Sequence, residues 1–582
     1  MRVLIVIPAR GGSKGLPGKN LHRVGGVSLV GRAVYAAREF AQALTHDVTI
    51  LVDTDAQDIA DEGRAWGAEV PFLRPAELAG DTTPTADSVL HAAARLAEQG
   101  FAADIIVLLQ PTSPLRTADD IARCWAAFDP ASAPSVISTV PAEHPPEIAL
   151  RASANGVVSW ASGDNSTDVR RQAFAPVVYP SGAVYVITRA LLEQHRRFIV
   201  AGVTRAIALP AARSIDIDTA ADLAVASALA AAAPVKGFTL GGFEFRRDRC
   251  FIIAEAGVNH NGDVALAHKL VDVAADAGVD CVKFQTFEPT LLVSAAARKA
   301  AYQVVNTGED GDQMAMLQSL VLPPAAHQEI MDHARERGIV FLSTPFDERS
   351  ADLLEELGVP AFKIPSGEIT NHRLLRHLAR KGRPLLMSSG MATMAEMASA
   401  VLTIRETSDV PLALFHCVTN YPASPDDCNL RAMDSMRSLF GVPVGWSDHT
   451  MGLDISLAAV AQGAEVIEKH FTLDRDMEGP DHKASLEPDE LAALVRAIRD
   501  ISSAMGDGIK RPTAAELAII PAARKSLHST RVLAPGDVIT SADVIPLRPG
   551  TGMSPALEPV VVGRRVVRAV AGGTLLSPTD LE

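Results

Sequence analysis

At 582 residues the chain is too long for one hydrophobic core, so two or three domains are expected. A hydrophobic fraction of 48% against 21% charged residues fits folded, soluble protein. The 69 Asp plus Glu exceed the 54 Lys plus Arg, for a net charge of -15 with no long basic run, which excludes nucleic acid or an anionic membrane as the main partner. The five cysteines (Cys124, Cys250, Cys281, Cys417, Cys428) show no CxxC spacing, so neither a disulfide framework nor a structural zinc site is expected. No run approaches the roughly 20 apolar residues of a membrane span, and the opening VLIVIPA is too short for a signal peptide, so a cytoplasmic location is expected.

From Met1 to about Leu229, strand-length apolar runs (RVLIVIP, VTILVD, DIIVLLQ) alternate with helical stretches near 29–43 and 56–66. That rhythm predicts a doubly wound α/β domain over 1–230. The composition then shifts to Ala, Pro and Gly, and a linker is placed at 231–243. A second series follows over 244–510: CFIIAEAG, DCVKFQTF, IVFLSTP, AFKIPSGE, RPLLMSSG, LALFHC, VPVGWSD and AEVIEKH. These eight runs are separated by helical patterns, the count for a closed (β/α)₈ (TIM) barrel. Each run ends in polar residues, and barrel active sites sit at that end. The interval from Glu288 to Pro323 is long, polar and glycine-containing, and reads as a lid or subunit contact. Beyond a linker at 511–523, residues 524–582 contain short β-type runs with Pro-Gly and Gly-Asp turns, a small β-rich domain expected to lean on a barrel.

Two histidines, His449 and His470, each close a strand-like run, with a predicted helix over Met451 to Gly463 between them. Parallel strands joined by a helix usually lie side by side, so both rings can reach one point. An isolated histidine at such a place is more often a cap. Two at matching strand ends, followed by Asp481 and His482, point to a divalent metal.

The first strand breaks into PARGGSKGLPGKNL. Glycines after a strand let backbone N–H groups approach phosphate, and Arg10, Lys14 and Lys19 supply countercharge. On that content alone the loop reads equally as a phosphate cradle or a surface turn. Further along come RPAELAGDTTPT, LLQPTSPLR, RRQ and SIDIDT. Asp216 and Asp218, two apart on a predicted strand, would face the same way and could share one Mg²⁺, while the same stretch also serves to cap a helix.

These five motifs, in this order, resemble the CMP-sialic acid synthetases (acylneuraminate cytidylyltransferases) over residues 1 to 225. The resemblance implies a nucleotidyltransferase in which the C2 hydroxyl of a 2-keto sugar acid attacks the α-phosphate of CTP. It implies that Arg10, Lys14, Lys19 and Asn20 neutralise the triphosphate and that Arg74, Thr85 and Gln110 border nucleotide or sugar. Arg171 would face the sugar acid, and Asp216 and Asp218 would carry Mg²⁺. The chain departs from the family pattern at Ser181, where Asn is usual, and at Tyr179, where Arg is often found. Both departures bear on acceptor choice, and they leave open the reading that this half only senses nucleotide or assists assembly.

The second series, with AEAGVNHNG, VKFQTF, FKIPSGE, SSGMAT, HCVTNYP, GWSDHT, EKHFT and GPDHKASLEP, resembles the sialic acid synthases from about Phe243 to the end, including their C-terminal antifreeze-like (SAF) domain. The resemblance implies condensation of phosphoenolpyruvate with an N-acyl hexosamine. His449 and His470 would hold Mn²⁺ or Mg²⁺, and Lys283, Thr344, Lys363, Ser366, Ser388 and Ser447 would bind phosphoenolpyruvate. Glu255, Gln285, Tyr421 and Asp481 would orient the sugar, with Glu255 as candidate acid/base. Arg548 would reach the sugar in a neighbouring subunit, which implies a homodimer with swapped C-terminal domains. Neuraminate and legionaminate both remain open as products, and pseudaminate fits the motifs less well. A fusion of the two halves would make a sialic-type acid and then activate it.

Overall fold

The computed structural model describes residues 1–12, 15–80, 82–142, 149–161, 177–245, 249–294, 296–299, 304 and 312–582. The chain divides into two units, Met1–Ala504 and Met505–Glu582. No described helix is long and apolar enough to cross a membrane.

The first apolar run forms β1 (Arg2–Pro8), the interior of a six-stranded sheet with β2 (Asp47–Asp53), β3 (Ile105–Leu108), β4 (Ser135–Pro141), β5 (Val178–Thr188) and β6 (Arg205–Ala208). The order is β6-β4-β5-β3-β1-β2. Because successive side chains of a strand point to opposite faces, β1 serves two layers. Val3, Ile5 and Ile7 pack with Val30, Val34 and Phe40 of α1 (Leu29–Gln42), while Leu4 and Val6 pack with Val89, Leu90 and Leu96 of α2 (Thr85–Glu98). This is the expected α/β layering with one difference: β5 runs antiparallel to both β3 and β4. The 214–218 stretch also differs from the expected strand. It joins no ladder and leads into α3 (Ala220–Ala231), capped by Thr219. Alternation survives there, since Ile217 is fully buried between the two aspartates.

The second series gives eight parallel strands: β7 (Phe251–Gly257), β8 (Cys281–Thr286), β9 (Val340–Pro345), β10 (Phe362–Ile364), β11 (Leu385–Ser388), β12 (Leu412–Cys417), β13 (Val444–Asp448) and β14 (Val466–His470). Ladders join them in the order β9-β8-β7-β14-β13-β12-β11-β10, and β9 lies against β10 to bring the barrel nearly to closure. The period of two sorts every strand. Ile252, Val282, Phe362, Leu385, Leu414, Trp446 and Ile467 face the surrounding helices. Phe251, Ile253, Cys281, Leu342, Leu386, Ala413 and Val466 fill the lower interior. One step further along the same inner rows stand Glu255, Lys283, Thr344, Lys363, Ser388, Ser447 and Glu468, at the strands' carboxyl ends. Gly445 belongs to the inner row of β13, where a Cβ would lie 2.0 Å from the Val466 carbonyl oxygen. Gly445→Ala is therefore expected to force the two strands apart and to destabilise the chain by about 1–3 kcal/mol, read as a lowered Tm.

The helix between β13 and β14 covers Asp454–Ala461, shorter than expected because Gly452 turns the chain at φ 75° before it starts. Within the stretch expected as a linker, Thr239–Leu240 and Phe243–Glu244 pair as a hairpin. Its Leu240, Phe243 and Phe245 pack under Phe251 and close the bottom of the barrel.

The sheet domain is docked on the barrel's flank through α1, which meets α4 (Met394–Thr407), and through α3, which meets α5 (Ala432–Phe440); Tyr35 of α1 also packs edge-on against Phe440 of α5. Arg405 donates to Tyr35 Oη at 2.9 Å, to Glu39 at 2.6 Å and to the Phe440 carbonyl at 2.8 Å. Gly26, at φ 75°, lies so close that a Cβ would stand 1.9 Å from Ser435 Oγ. A barrel helix runs back along its strand, so Arg405 and Phe440, at the ends of α4 and α5, mark the end of the barrel away from the polar mouth.

The C-terminal unit pairs Ser526–Ser529 with Val544–Leu547 around a core of Leu527, Leu533, Ile539, Val561 and Val566. Ahead of it, Ala514–Ala523 is helical, and Arg548 donates to the Ala523 carbonyl at 3.1 Å within this unit.

Candidate active sites at the barrel mouth and the glycine-rich loop

The inner rows of the barrel meet in a cavity of ≈ 310 Å³. Glu255, Lys283, Gln285, Thr344, Lys363, Ser366, Ser388, Tyr421, Ser447, His449, His470 and Asp481 all line it, so the twelve barrel positions singled out in the sequence converge at one place.

Its floor is a buried charge network. Lys283 Nζ lies 2.8 Å from Glu255 and 2.9 Å from Thr344 Oγ1, and 3.7 Å from Glu468. Lys363 Nζ donates to Ser388 Oγ at 2.6 Å and to Glu468 at 3.3 Å, and Ser447 Oγ donates to Glu468 at 2.9 Å. Burial is the largest influence on Glu255 and pushes its carboxyl up to about 7, against the pull of Lys283. Glu468 is equally buried, but there Lys283 and Lys363 outweigh desolvation and bring it down to about 2. Burial lowers Lys363, whereas at Lys283 the two glutamates overcome burial and raise it. Glu468 is thus the standing anion between two ammoniums, and Glu255 is the group able to carry a proton near neutrality. The balance leaves the floor net positive, suited to an anionic substrate.

On the rim, His449 and His470 have ring centroids 5.5 Å apart, and the Tyr421 ring lies tilted against His449 with centroids 4.1 Å apart. Burial lowers both histidines, His470 well below its ordinary value, so both are neutral imidazoles. The Val418 carbonyl accepts from His449 Nδ1 at 2.7 Å, which leaves Nε2 with its lone pair. His470 Nδ1 is buried without a hydrogen bond, 3.9 Å from Asp481, whose carboxyl burial raises to about 6. Among the described residues no three His, Cys, Asp or Glu side chains are arranged to hold a metal. Two neutral nitrogens of this kind nevertheless fit a divalent cation whose other positions stay open.

The second cavity, ≈ 260 Å³, lies at the end of β1 and is lined by Arg10, Lys19, Asn20, Arg74, Thr85, Ser88, Gln110 and Thr112. Asn20 Nδ2 donates to the Arg10 carbonyl at 2.9 Å and pins the loop. Arg74 is buried against Asp53, with Nη2 2.7 Å from Asp53 Oδ2. Lys19 Nζ reaches the Ile217 carbonyl at 2.9 Å and Asp218 Oδ1 at 3.0 Å. Burial raises Asp216, which Thr112 hydrogen-bonds. Asp216 and Asp218 thus stand beside the loop as oxygen donors, the chemistry Mg²⁺ takes. Ser181 turns away: its Oγ is 2.7 Å from Ser138 Oγ inside the sheet, while Tyr179 is exposed. Lys14 and Arg171 lie outside the described residues.

A protein of Campylobacter jejuni, an N,N'-diacetyllegionaminic acid synthase, is 49% identical to the chain over 53% of this sequence and 92% of its own. The chain belongs to the NeuB family. The NeuB family model matches residues 270–510, and a cytidylyltransferase model matches residues 4–175 of the same chain. A Legionella pneumophila protein of the same name as the Campylobacter one is 47% identical over 56% of this chain and 93% of its own length. The human N-acetylneuraminate-9-phosphate synthase is 36% identical over 55% and 89%. The protein is therefore a cytidylyltransferase domain fused to a NeuB barrel, and the relatives cover the barrel side.

Two residues of these sites escaped the reading of the sequence. Glu468 stands in the same VIEKH run as His470, and the period of two puts both on the inner face of the NeuB barrel. The same period sends Lys469 and Asp448 to the other face, where they pair at 2.8 Å and tie β13 to β14 just below the two histidines. Asp53 ends β2 in a DTD run that carries no motif; only its pairing with Arg74 marks it.

Proposed function

We propose that the chain carries out two consecutive reactions, the NeuB barrel making a sialic-type acid and the N-terminal domain activating it with CTP. The observation that carries the first is the pair of buried lysines sharing Glu468 beside two neutral imidazoles. Phosphoenolpyruvate is held with its phosphate and carboxylate toward Lys283, Lys363, Thr344, Ser366, Ser388 and Ser447. Its C3 forms a bond to the aldehyde carbon of an open-chain N-acyl hexosamine. The aldehyde oxygen takes a proton, for which Glu255 is placed and tuned. Water adds at C2 with loss of a proton, and the C2–O bond to phosphate breaks to leave the 2-keto acid and inorganic phosphate. Gln285, Tyr421 and Asp481 orient the sugar. His449 and His470 hold Mn²⁺ or Mg²⁺, which when bound supplies a Lewis acid for the aldehyde oxygen.

In the N-terminal domain, the C2 hydroxyl of that acid forms a bond to the α-phosphorus of CTP, loses its proton, and displaces pyrophosphate. Arg10, Lys19, Asn20 and Arg74 neutralise and align the triphosphate, and Thr85 and Gln110 border the nucleotide; Lys14 and Arg171 complete the set. Asp216 and Asp218 hold Mg²⁺. Transfer of this kind depends on positioning and charge more than on covalent help. The C-terminal unit, read as an antifreeze-like domain, presents Arg548 to the barrel of a second subunit.

The names of the two relatives nearest half identity favour a 2,4-diacetamido-2,4,6-trideoxymannose acceptor over N-acetylmannosamine. Incubation of the full chain with phosphoenolpyruvate, CTP and each sugar in turn, read by product mass and pyrophosphate release, tests both steps. The expected result is a CMP-sugar of the diacetamido mass. Faster turnover of N-acetylmannosamine would reassign the acceptor. A keto acid accumulating with no pyrophosphate would leave the N-terminal domain as a nucleotide sensor.

A further inference from the structure

Between the sheet domain and the barrel flank lies a cavity of ≈ 540 Å³, larger than either candidate active site and separate from both. Its walls carry Arg32, Arg116, Arg213 and Arg405 but a single carboxylate, Glu39, in a chain whose net charge is -15. Two of these cations are matched. Arg405 pairs with Glu39 at 2.6 Å and Arg213 with Asp120 at 2.8 Å.

The other two are buried and donate their hydrogen bonds only to neutral acceptors, although Asp120, already paired with Arg213, also acts on Arg116. Arg32, 8% exposed, donates to the Val24 carbonyl at 2.7 Å and Ser438 Oγ at 2.5 Å. Arg116, 5% exposed, donates to the carbonyls of Gln110 at 3.0 Å and Ala183 at 2.8 Å, and its Nε has no partner. Among the described residues no carboxylate lies within ion-pair distance of either guanidinium. Burial pushes both down to about 10, so both remain charged at neutral pH. A buried charge is normally paired, and here Arg32 has no carboxylate partner while Arg116 feels only Asp120, a carboxylate already paired with Arg213, so the roomy cavity holds more cation than anion. Leu115, Leu229, Leu439 and Phe440 make the rest of the wall apolar.

We propose that this cavity binds a small organic anion, a carboxylate or phosphate head on an uncharged body, with the head between Arg32 and Arg116. The loop that carries Arg116 also borders the other cavity: Gln110 and Thr112 line the nucleotide site, while Pro114 to Thr117 line this one. An occupant that draws on Arg116 therefore acts on the chain segment that positions Gln110, so the site is placed to adjust nucleotide binding.

The test uses the full chain with both catalytic cavities disabled by Lys19→Ala and Lys363→Met. It is titrated calorimetrically with CMP, which offers a phosphate, and separately with N-acetylneuraminate, which offers a carboxylate. At least one is expected to bind at one equivalent per chain. In that background Arg32→Met, which removes the charge, and Ala233→Trp, which fills the space and leaves the charges, are each expected to weaken binding about tenfold or more. If Arg32→Met does not fold, Ala233→Trp decides. The proposal is overturned if neither anion binds the disabled chain, or if a folded variant of either kind keeps its affinity.

Discussion

Lys363→Met is expected to lower release of phosphate from phosphoenolpyruvate by about 100- to 1,000-fold while the chain stays folded. Methionine keeps the length of the apolar stem, so packing is largely preserved, while the contact of Nζ with the Phe415 ring, 4.8 Å from its centroid, goes with the charge. What is lost is the ammonium that faces Ser388 and Glu468. Glu468 keeps Lys283 at 3.7 Å, so its charge is not orphaned, but the floor changes from net positive to balanced. A trianionic substrate then meets no excess of cation, and both its binding and the charge leaving on phosphate go unsupported. Turnover within threefold of the unaltered chain, at saturating phosphoenolpyruvate, would remove Lys363 from the reacting end.

Arg74→Ala is expected to abolish pyrophosphate release and to destabilise the sheet domain by about 3 kcal/mol, because it strips a buried carboxylate of its partner. The cost falls at the low end of that range for a broken buried pair, since burial already raises Asp53 and lets it take up a proton. Structure and chemistry separate in a second variant. Asp53→Asn combined with Arg74→Ala removes both charges and is expected to recover most of the lost Tm without recovering activity. Recovery of pyrophosphate release in the double variant would make Arg74 a purely structural residue.

Much of this molecule is written in alternation. A period of two along eight short runs marks what faces the barrel interior, and the polar residue at each carboxyl end marks the mouth; Glu255, Lys283, Gln285, Thr344, Lys363, Ser388, Ser447 and His470 are legible in this way because strand geometry is local, whereas Ser366, Tyr421 and Asp481 stand in turns and loops, and their roles come only from the family resemblance. Glu468 obeys the same rule, and within VIEKH nothing but that period distinguishes it. Other features are not local. The antiparallel course of β5 depends on which strands the sheet brings beside it, and the pairing of Asp53 with Arg74 joins the end of a strand to a loop 21 residues later. The hairpin under the barrel hides in a stretch whose Ala, Pro and Gly content reads as a connector, although its phenylalanines are what fill the floor. Where the sheet domain docks on α5, the turn ahead of α1 brings Gly26 against Ser435, a closeness no periodicity announces.

That docking has a kinetic consequence. The sheet domain packs on the barrel's flank toward the end opposite the mouth, so on the proposed pair of reactions a keto acid released at the mouth is expected to enter solvent before it reaches a nucleotide site. On that reading the fusion would hold the two catalysts at one to one and keep them together, while the intermediate is expected to stay open to competitors. A burst of phosphate should precede pyrophosphate by a lag that shortens as enzyme concentration rises, and a competing consumer of the acid added in excess should intercept it.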